Sequence, residues 1–390
     1  MDVEGLRGTG WQPLPFAQFI VKIHSRCNLA CDYCYVYEMA DQSWRGQPKT
    51  MSDQVFTEAC RIIGEHARRF ALPAVSLVFH GGEPLLVGHE TLERFARHAR
   101  QTLEPITEVR LGMQTNGVLL DTEFLRICDR WGIQIGVSLD GDRGANDRHR
   151  KYRRGTGSYD DVAKGLELLG RDHRHLYSGL LCTIDVANDP IETYEALVHF
   201  GPLDIDFLLP HGNWTTPPPA KVADIAATPY ADWLIAIFDR WYGAPELETR
   251  VRLFDEVIEL LLGGQGASES VGLAPIQVAV IETDGTLEQV DALKSAFAGA
   301  AEIRPADHGN PLDEALWEPA VVARQIGVEA LSDTCRACPV HKVCGAGHYA
   351  HRYRDGMGFR NPSVYCGDLE RLIRHIETRV RADITAATGR

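Results

Sequence analysis

The sequence predicts an α/β fold: a partial (β/α)6 TIM-like barrel followed by a smaller cysteine-rich lobe. Three observations lead there. Six short apolar runs alternate with amphipathic helical patterns between Phe16 and Leu209, which implies a parallel sheet with right-handed crossovers. The turn-forming motifs fall directly after strands and so share the C-terminal rim, where barrel enzymes build their sites; a doubly wound sheet would gather its site at one switch point. After Pro210 the alternation stops, and a second group of cysteines appears between Cys335 and Cys366.

Residues 1–15, rich in Gly and Pro, read as an irregular lead-in. Residues 16–24, rich in branched and aromatic side chains, form a first strand. A loop carrying Cys27, Cys31 and Cys34 follows. Ser52 is the N-cap of a helix in which Val55, Ala59, Ile62, Ile63 and Ala67 recur at helical spacing. The second strand, 75–79, runs into His80-Gly81-Gly82-Glu83-Pro84. A helix over 90–103 leads to the third strand, 109–114, closed by Thr115-Asn116-Gly117. Helix 121–131 and strand 133–139 come next, with Asp140-Gly141 turning the chain. A polar, basic segment (142–157), a helix to residue 170, strand 176–184, helix 191–200 and strand 205–209 complete the alternation. Residues 213–219 make a stiff, Pro-rich linker. Helical patterns cover 230–242 and 252–262, and 276–281 and 287–290 flank Thr283-Asp284-Gly285 as a hairpin. A charged helix from about residue 368 ends the chain. The domains are accordingly a lead-in (1–15), a barrel (16–212), a linker with bridging helices (213–272) and a cysteine lobe with a C-terminal helix (273–390).

Composition narrows the function classes. With 44% hydrophobic and 24% charged residues, the chain is an ordinary globular one. No apolar run approaches the ~20 residues that span a bilayer, and the N-terminus lacks the basic and apolar regions of a signal peptide. A cytoplasmic location with no membrane partner is expected. Ten cysteines in a reducing compartment point to metal ligation over disulfides. A formal net charge of −14 speaks against nucleic acid as a partner.

Cys27, Cys31 and Cys34 lie within eight residues and can converge on one soft metal centre. Zinc sites usually pair ligands as Cys-x-x-Cys and close the coordination sphere, so this spacing argues for a four-iron cluster with one iron left without a protein ligand. Cys335, Cys338, Cys344 and Cys366 supply four thiols, enough to close a site, and spacing alone leaves structural zinc and a second iron–sulfur cluster both open. Cys60, Cys128 and Cys182 read as buried apolar side chains.

Cys-x-x-x-Cys-x-x-Cys after a first strand, with Tyr33 before the last cysteine, resembles the signature of the radical SAM superfamily, whose cofactor is S-adenosylmethionine (SAM). Gly81-Gly82-Glu83-Pro84 resembles the family's GGEP segment. Val137-Ser138-Leu139-Asp140-Gly141 with Asp147 and Arg150 resembles its SLDG and HD..R segments; Asn146 stands in place of the His and takes no role from it. The resemblance implies a 4Fe–4S cluster on Cys27, Cys31 and Cys34, with SAM chelating the open iron and yielding a 5′-deoxyadenosyl radical on reductive cleavage. Under it, Gly81 and Gly82 bring backbone carbonyls to the SAM amino group and Glu83 adds a charge-assisted acceptor. Ser138 and Arg150 are candidates for the SAM carboxylate, Asn116 and Asp140 for the ribose, and Tyr33 for the adenine.

The C-terminal cysteines resemble a SPASM domain, the lobe that carries auxiliary clusters in radical SAM peptide maturases. Cys335, Cys338, Cys344 and Cys366 match its pattern, whereas His348 and the hairpin Ile281-Glu282-Thr283-Asp284-Gly285 stand where further cysteines are expected. The resemblance therefore implies one auxiliary 4Fe–4S cluster, on the four retained thiols. Residues 36–38, 40–46, 349–354 and 361–366 look like the FxsB-type cyclophane-forming maturases. Such enzymes join an aromatic ring carbon to the β-carbon of a residue two positions later in a short ribosomal precursor peptide with a Phe-x-Ser motif.

The implied partners are that peptide and a reductase or flavodoxin-type electron donor. Loss of one electron and one proton restores the ring's aromaticity; the auxiliary cluster is the expected acceptor, and Glu282 and Asp284 are the candidate bases, with an Asp-Gly turn as the competing role for Asp284. Formylglycine or thioether formation, or a non-catalytic iron–sulfur or peptide-binding protein, are the alternatives. Peptide contacts are expected at the 214–219 linker, at Trp233, Phe238 and Trp241, or at the basic run Arg143, Arg148, Lys151, Arg153 and Arg154, against core packing or a solvated loop. No separate leader-binding module is expected before the barrel.

Overall fold

The computed structural model describes residues 2–304 and 309–388. Its strands are β1 (Gln18–His24), β2 (Ala74–Gly81), β3 (Glu108–Thr115), β4 (Ile133–Ser138), β5 (Tyr177–Thr183), β6 (Asp204–Leu208), β7 (Arg250–Val251), β8 (Val278–Ile281) and β9 (Leu287–Glu288). The chain divides into two compact units. The first holds Met1–Leu139, Asn146–Leu180 and Ile276–Gln325; the second holds Asp140–Ala145, Leu181–Pro275 and Ile326–Arg390.

In the first unit the parallel strands β1, β2, β3 and β4 follow one another in chain order. Registers pair Gln18 with Ser76, Ala74 with Glu108 and Leu111 with Ile133. This sequential order, without the reversal that marks a doubly wound sheet, is the barrel-type arrangement. Phe19, Val21, Ile23, Leu77, Phe79, Ile135 and Val137 are fully buried, as expected for parallel strands covered on both faces. Helix Asp53–Arg69 begins where the Ser52 hydroxyl accepts from Val55 N (3.2 Å), and Phe56, Ala59, Ile62 and Ile63 are its buried face. Asp121 caps Thr122–Trp131 in the same way, accepting from Phe124 N at 2.8 Å.

In the second unit β6 pairs in parallel with β7. Helices Pro229–Tyr242 and Cys366–Thr388 belong to it, and Asp368 accepts from Tyr230 N (3.0 Å) and Ala231 N (3.1 Å) at the start of the first of them. Trp233 and Phe238 are core residues, and Trp241 donates to Thr249 O at 2.8 Å. No helix among the described residues is long and apolar enough to cross a membrane.

Three features differ from the sequence reading. The lead-in contains a helix, Val3–Gly8, started by Asp2 accepting from Gly5 N. The basic segment contains a helix over Arg143–His149. The hairpin strand β8 pairs in parallel with β1, Gln18 opposite Val278, while β9 runs antiparallel to β8. Its run Val278-Ala279-Val280-Ile281 is continuously apolar, which suits a strand covered on both faces.

This pairing places a cation beside three carboxylates. Lys22 Nζ lies 2.5 Å from Glu282 Oε1, 2.5 Å from Asp291 Oδ1 and 3.6 Å from Glu288 Oε2. Lys294 adds contacts of 2.8 Å to Glu282 and 2.9 Å to Glu288. All five side chains are buried. Such a group tolerates loss of one member poorly, because an unbalanced buried charge remains. Burial pushes Glu288 above its ordinary value, with Asp291 and Glu282 adding repulsion against the pull of Lys22 and Lys294. A carboxyl whose folded-state pKa is raised favours the folded state at low pH and loses that contribution as pH rises through the folded value. Lys22→Met is expected to cost about 3–5 kcal/mol in denaturant unfolding, with a deficit that shrinks as pH falls from about 8 to about 6. A deficit below about 1 kcal/mol, or one that grows on acidification, contradicts this account.

Candidate functional site

The three thiols leave the end of β1 on a loop that the following segment fixes from outside. Ser25 Oγ donates to Pro48 O (2.5 Å), and Arg26 donates to Trp44 O (2.8 Å) and Gln47 O (3.2 Å). Tyr37 donates to Ser25 O at 3.0 Å and sits edge-on against Trp44. From the other side, Ala30 N donates to Lys151 O at 2.7 Å.

The loop after β2 lies against this one, backbone to backbone. Gly82 N donates to His24 O (2.8 Å) and Glu83 N to Arg26 O (3.0 Å). Gly81 has φ +140°, and a Cβ there would fall 2.0 Å from His24 O. A Cβ on Gly82 would fall 2.6 Å from the Arg26 carbonyl. Only glycine permits this approach.

Glu83, fully buried, then ties the β3 end to the same point. Its Oε1 accepts from Thr115 Oγ1 (2.7 Å) and Leu85 N (3.0 Å), and its Oε2 accepts from Asn116 N (2.7 Å). Burial raises its pKa, against the lowering effect of these donors and of Arg150. The carboxylate expected to face the SAM ammonium thus works within the chain, joining two rim loops. Asn116 continues the link: its Nδ2 donates to Asn28 Oδ1 (2.8 Å) and to Cys27 Sγ (3.6 Å).

Burial pushes the Cys27 thiol up to about 12, and the Glu83 charge and the neighbouring Cys31 and Cys34 thiols add to it. Burial raises Cys34 as well. Metal ligation needs thiolates, so loading this loop releases protons. The donor set fits an iron–sulfur cluster: three thiols on one loop, an N–H aimed at one sulfur and a positive charge nearby. That charge is Arg150, whose Nη1 donates to Tyr33 Oη at 2.9 Å and whose field acts on Cys34. Ser138 Oγ, at the end of β4, accepts from Gln114 Nε2 at 3.0 Å. Asp140 belongs to the second unit, where it accepts from Thr183 N at 3.0 Å.

Cys335, Cys338, Cys344 and Cys366 all belong to the second unit. Burial raises Cys366, with the Cys335 and Cys338 charges contributing; burial likewise lifts Cys344 to about 12, with Cys366 and Cys335 beside it. Ser332 caps the turn carrying Cys335, and Arg352 pins the loop after Cys344, donating to Gly345 O (2.7 Å) and Gly347 O (2.6 Å). Four thiols that influence one another's charge are the number that a closed metal site needs. Cys60, Cys128 and Cys182 are buried.

Glu282 and Asp284 have structural partners that the base assignment left out. Burial opposes charge on Glu282, but Lys22 and Lys294 outweigh it and hold the carboxylate below the usual range, where it accepts a proton poorly. Asp284 accepts from Thr286 N (2.9 Å), Thr286 Oγ1 (2.7 Å) and Gln47 Nε2 (3.1 Å), the pattern of an Asp-Gly turn. Lys22, Asn28 and Thr115 are the site-building residues that sequence reasoning missed. Lys22 had a signal, a cation inside an apolar strand; Thr115 and Asn28 had none beyond their place in turns.

Comparison with known proteins agrees with this geometry. Residues 21–196 match the model of the Radical SAM superfamily. A serine-type anaerobic sulfatase-maturating enzyme of Bacteroides thetaiotaomicron is 25% identical over 283 residues, 67% of this chain and 66% of that one. Among solved structures, anSMEcpe with bound AdoMet and the Cp18Cys peptide superposes with a TM-score of 0.78 at 19% identity, over 94% of this chain and 99% of that one. Streptococcus suis SuiB bound to its precursor peptide SuiA gives 0.58 at 13% identity, over 93% and 78%. Residues 21–196 are thus similar to radical SAM domains, and the protein is an enzyme with SAM and iron–sulfur clusters as its cofactors.

Gly81→Ala drives a side chain into the His24 carbonyl beneath the thiol loop. Iron in anaerobically reconstituted protein is expected to fall by about half, the share of one of two 4Fe–4S clusters, and 5′-deoxyadenosine formation to be lost. Wild-type iron and turnover in this variant would refute the glycine cradle.

Proposed function

We propose that this enzyme modifies a ribosomally made precursor peptide, joining a ring carbon of Phe in a Phe-x-Ser-type motif to the β-carbon of the third residue. One observation carries the reading. The segments that resemble the cyclophane-forming maturases are the ones that brace the thiol groups: Trp44 holds Arg26 beside Cys27, and Arg352, itself held by Asn361, pins the loop after Cys344. Peptide as substrate class is further supported by relatives that act on proteins and by fold neighbours solved with peptides.

In this reading Cys27, Cys31 and Cys34 hold a 4Fe–4S cluster, and Cys335, Cys338, Cys344 and Cys366 hold an auxiliary one. When bound, the first cluster with SAM supplies a hydrogen-abstracting radical and the second an electron acceptor. Gly81 and Gly82 keep the rim open to backbone approach, Glu83 and Asn116 fix the thiol loop, and Arg150 and Ser138 are the proposed carboxylate contacts, with Tyr33 at the adenine and Asp140 at the ribose. In the peptide, one hydrogen atom leaves the β-carbon, the carbon–carbon bond forms, and the ring then gives up one electron and one proton. A reductase or flavodoxin-type donor is the proposed electron source.

A second reading, formylglycine formation, is favoured by the sulfatase-maturating relatives. Incubation of reduced enzyme, SAM and a Phe-x-Ser peptide separates them. The crosslink removes two hydrogens and suppresses backbone fragments between Phe and Ser. A product that fragments there and reacts with an aldehyde reagent favours the second reading, and an unchanged peptide contradicts both.

A further inference from the structure

The second unit carries a histidine group that neither thiol site uses. One ring nitrogen from each of His211, His348 and His351 falls within 4.8 Å of the other two. Ring centroids are 5.4 Å apart for His211–His348, 5.5 Å for His211–His351 and 5.1 Å for His348–His351. His351 is 3% exposed, and neither of its ring nitrogens has a hydrogen-bond partner among the described residues. Leaving buried polar atoms unmet is costly. A tetrahedral ion with bonds of ~2.0 Å spaces its ligand atoms about 3.3 Å apart, so small ring rotations close the group around one centre.

The surroundings suit a cation. His348 Nδ1 lies 3.3 Å from Ala350 N, and Glu269 Oε2 lies 3.4 Å from His348 Nε2. The carboxylate offsets positive charge beside the group. The backbone is fixed: Val364 N donates to His351 O (2.9 Å), and the adjacent Arg352 is the residue that pins the Cys344 loop. The other grouping of possible ligands, Glu282, Glu288 and Asp291, is already ion-paired with Lys22 and Lys294.

We propose that His211, His348 and His351 form a mononuclear zinc-type site separate from both thiol groups. Three imidazole donors are a zinc combination that leaves one position for solvent. The ion ties the loop at His211 to the segment that carries His348 and His351.

The test uses full-length protein with its clusters reconstituted, incubated with zinc and desalted. Expected are one zinc per chain by elemental analysis and a zinc-edge absorption spectrum fitted by N/O neighbours near ~2.0 Å with no sulfur. His211→Gln should lose that zinc at unchanged iron, and chelation of wild type should lower the melting temperature reversibly. No zinc, a sulfur-containing shell or full retention in His211→Gln overturns the proposal. Should His211→Gln fail to fold, the spectrum and the reversible melting shift of wild type decide alone.

Discussion

Everything at the candidate site depends on one steric constraint, the contact between the backbone after β2 and the backbone after β1. A Cβ on Gly81 would sit 2.0 Å from the His24 carbonyl oxygen, inside any van der Waals limit. The two hydrogen bonds across this contact are worth about 1 kcal/mol each; the exclusion of every side chain but hydrogen is what fixes the distance. The thiol loop therefore has one seat, and the second rim loop defines it.

From that seat the organisation spreads in two directions. Glu83 carries it to β3 by accepting from Thr115, Asn116 and Leu85, and Asn116 returns it to Cys27. On the other edge, β8 adds to β1 and brings Glu282 to Lys22, so the strand that delivers the thiols is anchored by a buried ion cluster. The cost of burying charge is met in both places by multiple partners. A thiol raised to about 12 by burial, like Cys27, is inert until a metal replaces its proton. The protein thus presents a loop that is rigid before loading and reactive only after it.

Much of this was legible in the sequence because it follows local rules. Apolar runs such as Val75–Phe79 read as buried strands, and Ser52 as a helix cap. The alternation also gave the sequential strand order. What stayed hidden depends on pairings between residues far apart in the chain. Lys22 and Glu282 are 260 residues apart, so the ion cluster left Glu282 looking like a free base. The three donors that converge on Glu83 were equally hidden, since nothing local reveals them. His211 and His348 share no motif; only the fold makes them neighbours.

The central claim is that Cys27, Cys31 and Cys34 hold a cluster with an iron open to SAM. Electron paramagnetic resonance of the dithionite-reduced protein, before and after SAM is added, tests it most directly in a variant whose four C-terminal cysteines are replaced by alanine. The account predicts a reduced 4Fe–4S signal whose g-values shift on SAM addition. A signal unmoved by SAM, or none at all in a folded variant, would contradict it.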